Sequence, residues 1–259
     1  MSASVRIAVL QSRIGPDIAA NGAHIRDLLD RAAAEGATLA LLPEGALSGY
    51  AKAQIKDWAQ VDWPLLEQVL AETRAHAKRL GIVAVVGSAH KVSDRRPFNS
   101  LHVLPGGQRY DKRRLSHTEI TGWYSPGGEP LCFNHANYRF GTTICIEVQF
   151  PELFADYEAL DVDCILHASY GFSPIGEVLL RGHAAINCLW LAAATPANAD
   201  EPASGIIGPD GEWMARCGPG VDIAVATLDR ADPRYDTALN KARPWRRLAR
   251  IGDIYRQAP

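Results

Sequence analysis

At residues 140–152 the chain reads Phe-Gly-Thr-Thr-Ile-Cys-Ile-Glu-Val-Gln-Phe-Pro-Glu. The apolar run before Cys145 predicts a buried strand, and Pro151 predicts the first turn of a helix. Cys145 would therefore lie at a sheet edge, where the strand turns toward the helix. A cation or a helix amino terminus can stabilise a thiolate there, and the thiolate is the reactive form of cysteine. A buried structural cysteine is the competing interpretation.

Strands and helices alternate on both sides of this segment. Apolar residues recur at helical spacing over residues 18–34 and 64–80, where Gly81 serves as a C-cap, and we also expect a helix at 175–187. Residues 98–110 predict a hairpin around Pro105. The other predicted strands are 5–11, 39–42, 82–86, 131–133, 138–143, 164–167, 189–194 and 221–228. This interleaving indicates an α/β protein in which helices cover sheets.

The composition is that of an ordinary soluble globular protein. The 259 residues are 47% hydrophobic and 22% charged, with a formal net charge of -2. No linker rich in glycine, serine or proline divides the chain, so we expect one domain over residues 1–259. The segment from about 231 onward is polar and interrupted by prolines, and it predicts an arm.

Several classes of function are disfavoured. Binding to a nucleic-acid backbone needs clustered basic residues, and the short stretch from Lys241 to Arg250 is interpreted as a solvated tail. No apolar run approaches the length that spans a bilayer, and the one at residues 7–10 is too short for a signal peptide. We therefore expect neither a nucleic-acid nor a membrane partner.

The cysteines and histidines predict neither disulfides nor a metal site. The five cysteines, at positions 132, 145, 164, 188 and 217, fit no disulfide framework and no zinc spacing. His117, His135, His167 and His183 form no recognisable ligand cluster. A reducing, cytoplasmic setting and the absence of any cofactor are the simplest expectations.

Two charged residues complete a possible reactive group. Glu44 follows the predicted strand 39–42 between Pro43 and Gly45, where a carboxylate could take the proton of a thiol. Lys112 lies in Tyr-Asp-Lys-Arg-Arg at residues 110–114, and its ammonium could stand beside a developing oxyanion. Taken alone, each residue has a non-catalytic interpretation. Glu44 could be an acid in a surface loop, and Lys112 could be a solvated charge.

Taken together, these segments resemble the nitrilase (carbon–nitrogen hydrolase) superfamily. The motifs are Leu-Leu-Pro-Glu-Gly-Ala-Leu-Ser-Gly-Tyr at 41–50, Tyr-Asp-Lys-Arg-Arg-Leu at 110–115 and Gly-Thr-Thr-Ile-Cys-Ile-Glu-Val-Gln-Phe-Pro-Glu at 141–152. They occur in the order typical of the family. Glu-Ile-Thr-Gly-Trp-Tyr-Ser-Pro-Gly at 119–127 resembles the stretch that carries a second glutamate, and Gly-Ile-Ile-Gly-Pro-Asp-Gly at 205–211 resembles a late turn. The resemblance covers about residues 5–230.

The resemblance implies a four-layer α-β-β-α sandwich and a covalent mechanism. Cys145 would attack the substrate carbon to form a thioester, with Glu44 as general base and then acid. Lys112 and the backbone N–H of Ile146 would stabilise the oxyanion, and Glu119 would orient the amine or the attacking water. Family members also commonly pair as dimers through a helix after the cysteine, so we expect a homodimer or a higher homo-oligomer.

The substrate is less sharply defined than the chemistry. Loops around 50–60, 113–130 and 170–176 would build the pocket, so Tyr50, His117, Trp123 and Tyr170 are the candidate substrate-binding residues. Ile146 stands where the resemblance favours tryptophan for true nitrilases and tyrosine for many amidases, which favours an amide-like small molecule. A nitrilase, an N-carbamoyl hydrolase and an inert interaction module of the same fold remain alternatives.

Overall fold

The computed structural model describes residues 4–93, 95–171, 174–199 and 204–256. Within these ranges twelve strands form two six-stranded sheets. The strands are β1 Ser4–Gln11, β2 Leu39–Leu41, β3 Val83–His90, β4 Phe98–Leu104, β5 Gln108–Asp111, β6 Cys132–His135, β7 Tyr138–Ile144, β8 Cys164–Ala168, β9 Trp190–Ala194, β10 Gly205–Ile207, β11 Trp213–Arg216 and β12 Asp222–Asp229. The predicted strands therefore form within a few residues of their expected bounds.

The helices lie between these strands and after the last of them. They are α1 Ile18–Ala34, α2 Trp63–Leu80, α3 His117–Gly122, α4 Pro151–Ala159, α5 Pro174–Asn187, α6 Arg243–Ile251 and α7 Asp253–Arg256. Short 3-10 turns occupy Trp58–Gln60, Cys145–Gln149 and Pro233–Tyr235, and a π-helical turn occupies Thr237–Ala242. Gly81 ends α2 in the left-handed conformation, at φ 68°, as expected of a C-cap glycine.

The two sheets are connected in the same way. The first has the order β12-β1-β2-β3-β4-β5 and the second has the order β6-β7-β8-β9-β10-β11. Read in these directions, each sheet shows one antiparallel pair, two parallel pairs and then two antiparallel pairs. The parallel pairs are joined by α1 and α2 in the first sheet and by α4 and α5 in the second.

Burial on both faces of each sheet produces four layers. In β1, Val5, Ile7 and Val9 lie in a core shared with the second sheet, whereas Ala8 and Leu10 lie in the core beneath α1 and α2. A separate apolar cluster joins α4 and α5 to the outer face of the second sheet. Because alternate residues of a strand point to opposite faces, such strands are apolar at nearly every position. The predicted α-β-β-α sandwich is confirmed.

The C-terminal segment differs from the solvated basic tail that we predicted. Arg243, Arg246, Arg247 and Arg250 hydrogen-bond to carbonyl or carboxylate groups of the body, so that prediction is wrong for these residues. The pattern of α6 is inverted relative to an ordinary surface helix: its arginines face the body, and its apolar residues face outward. Hydrophobic periodicity cannot reveal a helix that docks through its charged face.

Candidate active site

The three candidate catalytic residues come from strand ends that meet at one edge of the sandwich. Glu44 follows β2, Lys112 follows β5 and Cys145 follows β7. The strand β5 runs parallel to β2 because two antiparallel pairings separate it from β3. The carboxyl ends of the first two strands therefore face the same way. Tyr170, which follows β8 of the second sheet, donates its backbone N–H to Glu44 and so joins the two sheets at this edge.

Glu44 is completely buried and fully engaged. Its Oε1 accepts hydrogen bonds from Lys112 Nζ at 3.0 Å and Asn99 Nδ2 at 2.6 Å, and its Oε2 accepts one from the Tyr170 backbone N–H at 2.8 Å. Burial raises the pKa of Glu44, the Lys112 charge opposes that rise and the Glu119 charge adds to it. A raised pKa brings this carboxyl closer to the range in which it can take up and return a proton.

Close backbone packing holds Glu44 in place. A Cβ atom added at Gly87 of β3 would come within 2.1 Å of the Pro43 carbonyl oxygen and 2.9 Å of Glu44 Cα. Only glycine permits β3 to approach the loop this closely. The position of the carboxylate therefore depends on a backbone contact as well as on its hydrogen bonds.

Lys112 carries its charge in a site closed to water. Its ammonium donates to Glu44 Oε1 at 3.0 Å and to the two oxygens of Glu119 at 2.8 and 3.0 Å. Burial disfavours the charge, but Glu44, Cys145 and Glu119 together outweigh it and raise the pKa of Lys112. The lysine is therefore a fixed cation, and the interpretation as a solvated charge is wrong because its side chain has no exposed surface.

Glu119 caps its own helix and faces the lysine. Ser116 Oγ accepts from the Glu119 N–H at 3.4 Å, and Glu119 Oε2 accepts from the Ser116 N–H at 2.7 Å, which together form a capping box. Burial alone would raise the pKa of Glu119, but Lys112 and the bonds to Ser116 lower it below its usual value. Tyr50 adds a hydrogen bond from its hydroxyl at 3.4 Å. Glu119 thus remains ionised beside the ammonium.

Cys145 occupies a strained turn between β7 and the 3-10 turn that it begins. Its φ is 51°, a left-handed conformation that is uncommon for any residue except glycine. The thiol is half-buried and lines a small cavity. Burial and the Glu44 charge raise the pKa of Cys145 to about 12, while Lys112 and a hydrogen bond with Ser169 act in the opposite direction. The resting thiol is therefore protonated and needs a base.

The backbone next to the thiol is suited to bind an oxyanion. Ile146 is the second residue of the 3-10 turn Cys145–Gln149, and it lines the same cavity as the sulfur. Backbone N–H groups in a first helical turn have no acceptor within that turn. The N–H predicted to stabilise an oxyanion thus belongs to the residue next to the nucleophile, on the same cavity.

A buried glutamate ties the lysine segment to the cysteine turn. The Glu147 carboxylate accepts hydrogen bonds from the backbone N–H groups of Arg113 (2.7 Å), Arg114 (3.0 Å) and Ile144 (2.7 Å). The Tyr110 hydroxyl donates to both of its oxygens, at 2.7 and 2.8 Å. The first two residues follow the buried lysine directly, and the third precedes the cysteine. This carboxylate therefore fixes the two segments relative to each other.

The predicted substrate-binding residues lie in different surroundings. Tyr50 and Tyr170 stack with ring centroids 4.3 Å apart, beside Glu119 and Glu44. Trp123 packs edge-on against Trp58 at 5.7 Å, in a separate aromatic cluster. None of these residues is among the described residues that line the cavity beside the thiol.

His117 points away from the site. It is the first residue of α3 and is exposed to solvent. Residues two positions apart on a helix point about 200° apart, so the capping box that turns Glu119 inward turns His117 outward. The prediction that His117 lines the pocket does not agree with this placement.

Sequence reasoning missed three polar residues of the site. Asn99 Nδ2 bridges Glu44 Oε1 at 2.6 Å and Glu119 Oε1 at 3.2 Å, while Ser169 bonds to the thiol and Glu147 positions two loops. The predicted hairpin contained a usable signal for Asn99. Because β4 runs antiparallel to β5, the first residues of β4 lie opposite the end of β5, where Lys112 follows.

The arrangement combines the parts of a nucleophilic site. A protonated thiol, a buried carboxylate and a fixed ammonium share one water-poor edge. A carboxylate can remove the thiol proton, and an ammonium can stabilise the negative charge that develops on an attacked carbonyl oxygen. Among the described residues, no group of three or more His, Cys, Asp or Glu side chains is arranged to hold a metal ion.

Comparison with known proteins places this geometry in a family. The family model for carbon–nitrogen hydrolases matches residues 6–234. The omega-amidase NIT2 of Danio rerio is 28% identical over 264 residues, covering 92% of this chain and 94% of the relative. The human omega-amidase NIT2 is 25% identical, covering 87% and 89%.

Solved structures agree with this assignment. The NitN amidase from Nesterenkonia sp. AN1 superposes with a TM-score of 0.77 at 25% identity, covering 93% of this chain and 99% of that one. A mutant of the same amidase, with the same TM-score and identity, shows acrylamide added to its active-site cysteine. The family model spans most of this chain and includes every residue of the cluster described above. The protein therefore belongs to the carbon–nitrogen hydrolase family.

Proposed function

We propose that the protein is a thiol amidase that hydrolyses a non-peptide C–N bond of a small amide and releases ammonia or an amine. One observation carries the proposal: the buried Lys112 ammonium donates to Glu44 and Glu119 at the sheet edge where the Cys145 turn begins, and the charges of Glu44 and Lys112 both shift the pKa of the thiol. The amidases and omega-amidases to which the chain is similar support an amide as the substrate.

The proposed first half-reaction is acylation of Cys145. The sulfur attacks the amide carbon while its proton passes to Glu44, so no free thiolate has to accumulate at neutral pH. Lys112 and the Ile146 N–H stabilise the oxyanion, a contribution whose removal costs about 3–4 kcal/mol of barrier in related chemistry. Glu44 then protonates the departing nitrogen, the C–N bond breaks and a thioester remains.

The proposed second half-reaction is hydrolysis of the thioester. Glu44 accepts a proton from water, which attacks the acyl carbon and releases the acid, and the proton returns to the sulfur. Glu119 holds the Lys112 ammonium through two hydrogen bonds and lies beside Glu44, from which it orients the amine or the water. Each step uses a group that the buried network already holds in place.

The products distinguish this function from its alternatives. We would incubate the protein with acetamide, acetonitrile and N-carbamoylglycine, and would follow ammonia, acid and carbon dioxide. Ammonia and acetate from acetamide are expected. Turnover confined to the nitrile, or carbon dioxide from the carbamoyl compound alone, would assign one of the other activities. Turnover of none of them by a protein whose Cys145 is also unreactive would favour the inert module.

Association into a homodimer is the second part of the proposal. On α5, Ile175, Val178 and Ile186 are 58%, 62% and 59% exposed and lie along one stripe. A second stripe on the arm contains Trp245, at 56% exposure, and Leu248 at 48%. Contiguous exposed apolar surface on a soluble chain marks an interaction site. The area around α5 is the expected interface, and the arm could extend it.

Light scattering tests the association. We expect twice the mass of one chain, falling to a single chain when Val178→Lys puts a charge on the stripe. Leu160→Lys, which changes an exposed leucine elsewhere, serves as the control. A monomeric mass for the wild-type protein at micromolar concentration would contradict the proposed dimer.

The location of the protein stays a prediction. None of the helices in the described ranges combines the length and the apolar character needed to cross a bilayer. The five cysteines are present as free thiols, which suits the reducing cytoplasm expected from their spacing.

A further inference from the structure

The cavity beside the catalytic thiol is small. It measures about 140 Å³ and is bounded by the cysteine turn, by Ser169 and Gly171 after β8, and by the start of α5. Sites for drug-sized ligands are usually about 300–1,000 Å³. An acyl group of only a few heavy atoms fits here.

The walls of this cavity are mostly apolar. Ile146, Val148, Ile175 and Leu179 contribute aliphatic side chains, and Gly171 and Gly176 contribute backbone. Among the lining residues that the structure describes, Ser169 and Gln149 are the polar side chains besides Cys145 itself. None of the described residues that line the cavity is charged. The surface that would meet the acyl group is therefore suited to a neutral aliphatic chain.

The nearby cations Lys112 and Arg113 do not line the cavity. Lys112 donates to both Glu44 and Glu119 and is completely buried. Arg113 lies over the ring of Tyr157 at 5.7 Å and donates to the Tyr110 hydroxyl at 3.4 Å. A carboxylate held against these apolar walls would lose part of its hydration without gaining a cation, which is unfavourable.

We propose that the site selects amides whose acyl part is a short, uncharged aliphatic group and rejects amides that carry a carboxylate at the far end. This inference rests on the proposed amidase function and names its substrate class. Size and charge act together, because the cavity offers neither the length nor the counter-charge that a dicarboxylic monoamide needs.

A matched pair of amides separates charge from length. Succinamate is butyramide with its terminal methyl replaced by a carboxylate. We expect kcat/KM for butyramide to exceed that for succinamate by about 100-fold or more, because a buried charge without a partner is excluded. Hexanamide, which is neutral but longer, should also fall below butyramide. Equal or faster turnover of succinamate would overturn the proposal.

Failure of the underlying function would look different. Hydrolysis of nitriles or N-carbamoyl compounds without any amide turnover would overturn the amidase function on which the substrate class rests. A preference for succinamate would leave the amidase function intact and overturn the substrate class alone.

A single substitution can introduce the missing charge. Gln149 lines the cavity and is exposed to solvent, so Gln149→Arg should fold. We expect this variant to shift the ratio of the two kcat/KM values toward succinamate by about tenfold or more, since the guanidinium can pair with the carboxylate. Gln149→Met is the neutral control, with an unchanged ratio. An unchanged ratio in the folded arginine variant would show that charge does not set the selectivity and would overturn the proposal.

Discussion

Two clusters of ion-paired side chains, each built around a buried glutamate, serve different purposes. The catalytic cluster, defined as Glu44, Lys112, Glu119 and Cys145, is closed to water around the lysine. The arm cluster, defined as Glu158, Asp161, Arg247 and Arg250, joins α6 to the end of α4. Glu158 is only 3% exposed, but its two arginine partners are 36% and 33% exposed.

The difference shows what burial of both partners adds. In the arm cluster the arginines reach solvent, so their attraction to the carboxylates is screened and mainly holds a helix in place. In the catalytic cluster neither partner is solvated, and each charge changes the pKa of its neighbours. Such coupling gives a site that can move a proton. Substitutions in the two clusters should therefore affect different observables.

Loss of the lysine should have the largest effect. We expect Lys112→Met to lower kcat by about 10³-fold, as loss of an oxyanion donor does. The variant also leaves two carboxylates buried without a cation, so one of them should take up a proton and its pKa should rise. A carboxyl whose folded-state pKa is raised stabilises the fold at low pH and loses that contribution as pH increases. The loss of stability should therefore be greater at pH 8 than at pH 5.

Thermal melts at the two pH values, together with the rate of ammonia release, check this prediction. Equal melting temperatures for variant and wild type at pH 8 would contradict the predicted cost of leaving two buried carboxylates without a cation. An unchanged rate would remove Lys112 from the mechanism altogether.

Glu147→Gln should have the next largest effect on turnover. Glutamine keeps the volume of the side chain, but its NH₂ group cannot accept the hydrogen bonds that the carboxylate accepts from backbone N–H groups. The turn of Cys145 and the segment of Lys112 should therefore shift. Because a shift of about 1 Å in a catalytic geometry can cost about 10²-fold, we expect kcat to fall 10–100-fold. The matched control is Glu158→Gln, which changes the same residue type in the arm cluster.

Kinetics on both glutamine variants separate positioning from stability. The Glu158 variant should melt at a lower temperature and keep its kcat within a factor of about two. Equal losses of kcat in the two variants would mean that Glu147 contributes only to folding.

Glu119→Gln should change the pH profile in a defined direction. The base must be ionised, so kcat/KM falls as pH drops through the raised pKa of Glu44. The negative charge of Glu119 contributes to that rise. Its removal should therefore lower the pKa of Glu44 and move the acid limb to lower pH by about half to one unit. Measurement of kcat/KM from pH 4 to 9 tests this prediction. A shift of the acid limb to higher pH would contradict the proposed effect of the Glu119 charge on Glu44.

The smallest effect should follow Arg247→Gln in the arm cluster. We expect a loss of stability of about 1 kcal/mol or less, because one partner of each ion pair is solvated. The loss should shrink in 1 M salt, where such pairs are screened. Denaturant titrations at low and high salt measure it. A loss of unfolding free energy above about 3 kcal/mol that does not depend on salt would show that the arm cluster is not screened by solvent.

The sequence located the catalytic groups but not their supports. Glu44, Lys112 and Cys145 follow predicted strands, and residues after parallel strands gather at one edge. Ser169 also follows a predicted strand but was not singled out. Glu147 carries no such positional signal, since its role arises from the backbone N–H groups that it accepts from. The arm was predicted wrongly for a related reason: its arginines hydrogen-bond to specific partners on the body, which composition cannot show. The sequence did not show which face of the short helix α3 points into the site, and the structure turns Glu119 inward and leaves His117 exposed.

The most direct test of the account is the site of alkylation by iodoacetamide. We would treat the folded protein with limiting reagent at neutral pH, with and without butyramide, and locate the adducts by peptide mass spectrometry. The account predicts that Cys145 reacts ahead of Cys132, Cys164, Cys188 and Cys217, because a neighbouring base can take its proton, and that the amide slows this reaction. Labelling of Cys145 no faster than that of the other thiols, with no protection by the amide, would contradict its assignment as the nucleophile.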